Sequence, residues 1–148
     1  MKRQLDRLLR IRGMLEDLSR LDFEGKSAAM RALERGAEKQ RQMALGARAE
    51  TVEEMAAGQP MERGSWRMRL ADAEIFGWRK ARLEAMAQAA KPGVEQAREE
   101  LLERRVERRQ AEILHEAAVR GEEKQLARQD QNRTDDWFQS RAARGKRK

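Results

Sequence analysis

His115 is the single histidine of the chain, with Glu112 one turn before it and Glu116 beside it. Histidine among carboxylates is a metal or proton-transfer chemistry, but a structural metal site needs a second His or a Cys to complete its ligands. The sequence has neither, so His115 reads as a seam or solvent-facing residue. Gly25-Lys26-Ser27 resembles the end of a phosphate-binding loop. That loop requires a glycine at position 20, a strand before it and a helix after it. Position 20 is Arg. No pairing of a nucleophile with a base stands out. The chain is therefore expected to act by binding macromolecules, with no catalysis, cofactor, metal or small-molecule substrate.

Aromatic and charged residues are the stronger candidates for binding. Trp66, Phe76 and Trp78 form one group, and Trp137 and Phe138 another. For the first group two readings stand side by side: packing at the end of a helix pair, or anchoring a partner, a role aromatics favour at interfaces. Residues 1–12 hold five basic residues and one acidic, and residues 140–148 hold five basic and none acidic. Net charge over the whole chain is +7. If the two termini meet, they make a basic tip suited to an acidic surface. Asp135 and Asp136 then limit the approach of polyanions, Trp137 and Phe138 serve as anchors, and Arg141 and Arg144 supply charge.

The elements that position these residues follow from composition. The chain has 148 residues, of which four are Val, three Ile, two Thr and none Tyr. Strands favour β-branched and aromatic side chains, so no sheet is expected. Ala, Leu, Arg, Glu, Gln and Met dominate and favour helix. Leu, Ile, Val and Phe are too few for a many-layered core. No apolar run approaches the ~20 residues that span a bilayer, and no apolar segment of signal-peptide type follows the start. A cytoplasmic location is the expectation.

The apolar periodicity predicts a helix over residues 1–56, with Leu5, Leu8, Leu15, Leu18, Ala29, Leu33, Ala37, Ala44, Ala47 and Met55 on one stripe. Gly13, Gly25, Gly36 and Gly46 interrupt it, either for close approach or as tolerated surface positions. Residues 57–65, Ala-Gly-Gln-Pro-Met-Glu-Arg-Gly-Ser, are the clearest break, with Ser65 placed to cap the second helix. That helix is expected over 66–139, and a basic flexible tail over 140–148. Lys91-Pro92-Gly93 should kink the second helix or break it at 91–93, because proline removes a backbone donor and clashes with the preceding turn; a third helix starting there is the alternative. Thin stripes on two long helices joined by a short loop predict an all-α antiparallel coiled coil. Asp22, Gln40 and Arg109 fall in or near its seam, and Leu15 and Leu18 should lie near the last third of the second helix.

The run Arg128-Gln129-Asp130-Gln131-Asn132-Arg133-Thr134-Asp135-Asp136-Trp137-Phe138-Gln139-Ser140-Arg141 resembles the closing pattern of the FliJ family, the coiled-coil component of the flagellar type III export apparatus. Glu103-Arg104-Arg105-Val106-Glu107-Arg108-Arg109 is similar in style. So is the plan of two long helices with a loop before Trp66 and a basic tail; Lys91-Pro92-Gly93 departs from it. The resemblance implies a central stalk and adaptor, cytoplasmic and peripheral to the membrane export apparatus. Its partners would be the export ATPase ring, the cytoplasmic domain of the export gate, and export chaperones. The terminal end would enter the ring. The gate contact would begin at Trp66 and include Leu70, Ala73 and Phe76.

The alternative is a basic coiled coil that binds nucleic acid or the ribosome. The net charge favours it. The alternation of basic and acidic residues does not, because such proteins show a sustained basic face.

Overall fold

The computed structural model describes residues 2–58 and 64–145. Two helices account for nearly all of them, α1 (Lys2–Ala56) and α2 (Ser65–Gly145), and no strand occurs among the described residues. The fold is the expected all-α, two-helix antiparallel pair. Gly58 helps to end α1: its φ of 64° is left-handed, a conformation glycine adopts without a Cβ penalty. The amide of Ala57 closes the last turn onto the Glu53 carbonyl at 2.9 Å. Residues 59–63 of the expected loop lie outside the described residues. Gly64, not Ser65, takes the capping position of α2, where its carbonyl accepts the Met68 amide at 3.2 Å.

Both helices follow a heptad frame in which positions a and d face the partner helix. In α1 the a positions run Leu9, Glu16, Phe23, Met30, Ala37, Ala44 and Thr51. In α2 they run Trp66, Ala73, Lys80, Ala87, Val94, Leu101, Arg108 and His115, and the d positions run from Arg69 to Ala118. Every buried residue among those described falls at a or d: Ala37, Thr51, Ala73, Ala87, Ala97, Leu101 and Ala111. Most of these are Ala, so the buried seam is made largely of small side chains.

The pair divides into two compact units. One comprises residues 18–101 and contains the chain reversal. Most of the buried residues lie here. The Leu83 side chain packs against Gly36, where an added Cβ would stand 3.3 Å from Leu83 Cδ1. Gly36 is thus a close-approach glycine, whereas Gly25 and Gly46 have nothing within 4 Å. Thr51 is buried with its hydroxyl donating to the Ala47 carbonyl at 2.8 Å. Gln40 takes its expected seam position, and its Oε1 is buried without a hydrogen-bond partner, a cost of about 1–3 kcal/mol. Asp22 is instead exposed and pairs with Lys26 at 2.9 Å. Gly25-Lys26-Ser27 sits inside α1.

α2 runs through Lys91, Pro92 and Gly93 as one helix, so neither a break nor a third helix forms. Pro92 is exposed at an outward f position. The seam positions on either side of it, Ala87, Ala90, Val94 and Ala97, are buried or half-buried. Packing of both flanks against α1 offsets the ~3 kcal/mol that proline costs in a helix interior.

The other unit comprises residues 1–17 and 102–148. Its paired part is tied by charge. Glu16, with only 12% of its side chain exposed, holds Arg105 at 3.4 Å and Arg108 at 3.1 Å. Arg12 pairs with Glu107, and His115 Nε2–H donates to Asp6 Oδ1 at 2.7 Å. Glu16 therefore sits at the level of Arg105 to Arg108, which places Leu15 and Leu18 near the middle of α2 and not its last third. Arg109 is exposed, not in the seam, and reaches Glu112 at 3.0 Å. No helix among the described residues is long and apolar enough to cross a membrane.

Candidate functional site

The helices are unequal, 55 residues in α1 and 81 in α2. Asp6 of the second turn of α1 lies beside His115, so α1 begins at about the level of Ala118. Beyond that level α2 has no partner helix, and residues 120–142 are exposed on every side. About 25 residues of helix extend alone, roughly 37 Å at the α-helical rise. The expected tail at 140–148 is helical as far as Gly145, and Lys146, Arg147 and Lys148 lie outside the described residues. Arg141 and Arg144 therefore do not meet the basic residues at the start of α1. The expectation of one basic tip fails because the arms differ in length by about seven turns.

Asp135, Asp136, Trp137, Phe138, Arg141 and Arg144 come together on the last turns of this lone helix, all exposed. The rings of Trp137 and Phe138 meet edge to face, with centroids 5.0 Å apart and planes at 77°. The Arg141 guanidinium lies 5.1 Å from the Trp137 centroid, one turn on, an attraction of the cation–π kind. Trp137, Ser140, Arg141 and Arg144 border one shallow groove. Two hydroxyls bond back to the preceding turn: Thr134 donates to the Asp130 carbonyl at 2.8 Å and Ser140 to the Asp136 carbonyl at 2.7 Å. No neighbouring helix supports this stretch, so a partner that covers the aromatic pair also stabilises the helix carrying it.

The residues expected near the loop are divided by the structure. Trp66 and Phe76 are half-buried at seam positions, and Ala73 is 1% exposed against α1. They pack between the helices, which favours the packing reading for this group. Leu70, at the seam edge, is 38% exposed and available. Arg67 lies 5.6 Å from the Trp66 ring centroid.

Trp78, 83% exposed, belongs to a different face. With Met68, Ala71, Ile75, Arg82 and Ala85 it follows the outward c and f positions of the same heptads. Proximity in sequence groups Trp78 with the seam aromatics as long as one stripe is sought per helix; the second stripe shows only when each residue is given its heptad letter.

His115 is bound to Asp6, across the pair, and not to either neighbouring glutamate. Glu112 instead takes Arg108 and Arg109, each at 3.0 Å, and Glu116 takes Arg120 at 3.7 Å. The hydrogen bond from Arg109, with the charges of both arginines, holds the Glu112 carboxyl below its ordinary pKa. Arg104 and Arg12 do the same for Glu107. Glu112 and Glu116 brace α2 itself, while Arg12–Glu107 and Asp6–His115 tie it to α1. Among the described residues no group of three or more His, Asp or Glu gathers as a metal site would require. Comparison with protein families, with curated proteins and with solved structures finds no match.

Proposed function

We propose that this chain is a binding protein whose lone C-terminal helix docks into a macromolecular partner. More specifically, we propose that it serves flagellar type III protein export as a stalk and adaptor between the export ATPase ring and the cytoplasmic domain of the export gate, assisting export chaperones. The carrying observation is the unpartnered helix of residues 120–145, with Trp137, Phe138 and Arg141 grouped near its end. A helix about 25 residues long with exposed aromatics suits a deep narrow socket, such as the pore of a ring. The resemblance of residues 128–141 to the FliJ family names the ring. Since α1 stops well short of this end, the docking element is the C-terminal helix alone. Leu70 and the exposed edge of Trp66 are the part of the expected gate contact that remains accessible.

The nucleic-acid reading is weaker on this helix. Arg120, Lys124, Arg128, Arg133, Arg141 and Arg144 are interleaved with Glu122, Glu123, Asp130, Asp135 and Asp136. No sustained basic face results.

Two variants separate anchoring from steering. Trp137→Ala with Phe138→Ala should mainly speed dissociation from the cognate ATPase. Removal of residues 140–148 should mainly slow association and flatten its salt dependence. If both variants stimulate the ATPase as the intact chain does across a salt series, the docking assignment fails.

A further inference from the structure

The outward stripe on α2 carries large apolar side chains that no partner helix covers. Met68 is 70% exposed, Ile75 49% and Trp78 83%. Ala71, Arg82, Ala85 and Ala89 complete the c and f positions of three heptads. A stripe at alternating spacings of three and four is the pattern with which one helix packs against another. Ile75, Trp78, Arg79, Ala81 and Arg82 border a shallow groove along it.

We infer that this face binds the same face of a second copy of the chain, antiparallel, across a twofold axis between residues 76 and 77. The stripe is self-complementary in that arrangement and in no parallel one. Antiparallel packing sets each c position opposite an f position of the second copy. Ile75 then meets Trp78, Ala71 meets the stem of Arg82, and Met68 meets Ala85, each contact occurring twice. Away from the central layer, large faces small. The Arg82 stem covers apolar surface while its guanidinium reaches water.

Charge decides the direction. Asp72 and Arg79 flank the stripe on one side, both exposed, and among the described residues neither has an ion partner within its own chain. In the antiparallel register Asp72 of each copy faces Arg79 of the other. In a parallel register Arg82, at a central c position, faces Arg82 of the second copy, and like charges repel. On the opposite flank Glu74 meets Ala81, and Arg67 meets Gln88, without conflict. The symmetric twofold contact is the commonest form of self-association. It uses the c and f face and leaves Leu70, at the seam edge, uncovered, so it does not depend on the export reading. Three layers on each side of the axis make a small interface, and its dissociation constant should be roughly micromolar.

Sedimentation equilibrium on the full chain tests the inference, with helix content followed by circular dichroism. The intact chain should dimerise over a micromolar concentration series. Trp78→Ala should weaken dimerisation about tenfold or more, as loss of a central Trp does. Asp72→Arg and Arg79→Asp should each weaken it about tenfold at low salt, since each sets two like-charge pairs face to face. The two charge variants mixed in equal amounts should recover association within about threefold of the original, as a heterodimer. The double variant should recover it as a homodimer. All three side chains are exposed, so helix content should stay constant. A chain that remains monomeric through a hundred micromolar, a dimer indifferent to the charge reversals, or a mixture that does not recover would each overturn the inference.

Discussion

The unit of residues 18–101 and the paired part of the unit formed by residues 1–17 and 102–148 use one heptad plan with different chemistry. The first is closed by buried apolar residues at a and d, Ala37, Ala73, Ala87, Ala97 and Leu101 among them. The second buries Ala111, half-buries Leu5, Leu9 and Ala118, and places Arg12, Glu16, Arg104, Arg108 and His115 at other a and d positions. Burial is insensitive to salt and acid; partly exposed ion pairs are weakened by both. A helix pair can thus be firm over one stretch and adjustable over another without any change of secondary structure.

The largest effect is expected from Leu101→Ala. Leu101 is 5% exposed, and truncating a buried leucine costs at least about 2 kcal/mol. Urea denaturation followed by circular dichroism should show it. A cost near zero would mean that the seam of residues 18–101 collapses around the lost side chain and is no better packed than the charged stretch.

Two glycines give a paired test of tightness. A Cβ on Gly13, in the charged stretch, would meet nothing within 4 Å, so Gly13→Ala should gain up to the ~1 kcal/mol that alanine offers over glycine in a helix. Gly36→Ala should gain far less, because its Cβ meets Leu83 at 3.3 Å. Equal gains in melting experiments would erase this distinction between the units.

A smaller effect is expected from Glu16→Gln, which removes the carboxylate holding Arg105 and Arg108. Amide exchange over residues 5–16 should quicken about threefold, the scale of a partly exposed ion pair, and exchange around Ala37 and Ala87 should not change. Uniform quickening along both stretches would sink the division.

Acid should act in the same direction. Glu107 has a folded pKa below its ordinary value, through the hydrogen bond from Arg104 and the charge of Arg12 on the other helix. A depressed carboxylate stabilises the folded state above its unfolded pKa, and that contribution is lost as pH falls through the folded value. Spin labels at Arg10 and Gln110 should therefore move apart, or broaden in distance, as pH drops below about 4.5. Labels at Glu34 and Arg82 should hold their distance over the same range.

Particular residues show what the sequence discloses. The absence of strands follows from scarce β-branched residues, and the chain reversal from Gly58, Pro60 and Gly64 together. Gln40 is legible in the seam because its neighbours Ala37 and Ala44 fix the frame. Asp22 and Arg109 fall one position outside the seam, because polar residues at nearby a and d positions, such as Lys26 and Arg108, blur the apolar periodicity there. Pro92 misleads through its local rule: the rule describes a lone helix, and here the seam on both sides of an outward proline outweighs it. The lone helix is legible in the unequal lengths on either side of the break, but pairing the two basic ends by charge overrides the count. Trp137 stacked under Arg141 is not legible, since a spacing of four permits that contact without requiring it.

The growing span of the cross-helix contacts has a consequence for how the chain folds. Glu54 and Arg69, fifteen positions apart, pair close to the reversal, while Arg12 and Glu107 are separated by 95 residues and Asp6 and His115 by 109. The entropy of closing a loop rises only with the logarithm of its length. Each contact made next to an existing one closes only a short additional segment. Folding therefore proceeds as a zipper that starts at the turn and runs toward the N-terminus of α1, and the charged stretch closes last and opens first. The lone helix at the end of α2 takes no part in that zipper, so engaging or releasing a partner there need not await, or undo, the folding of the rest.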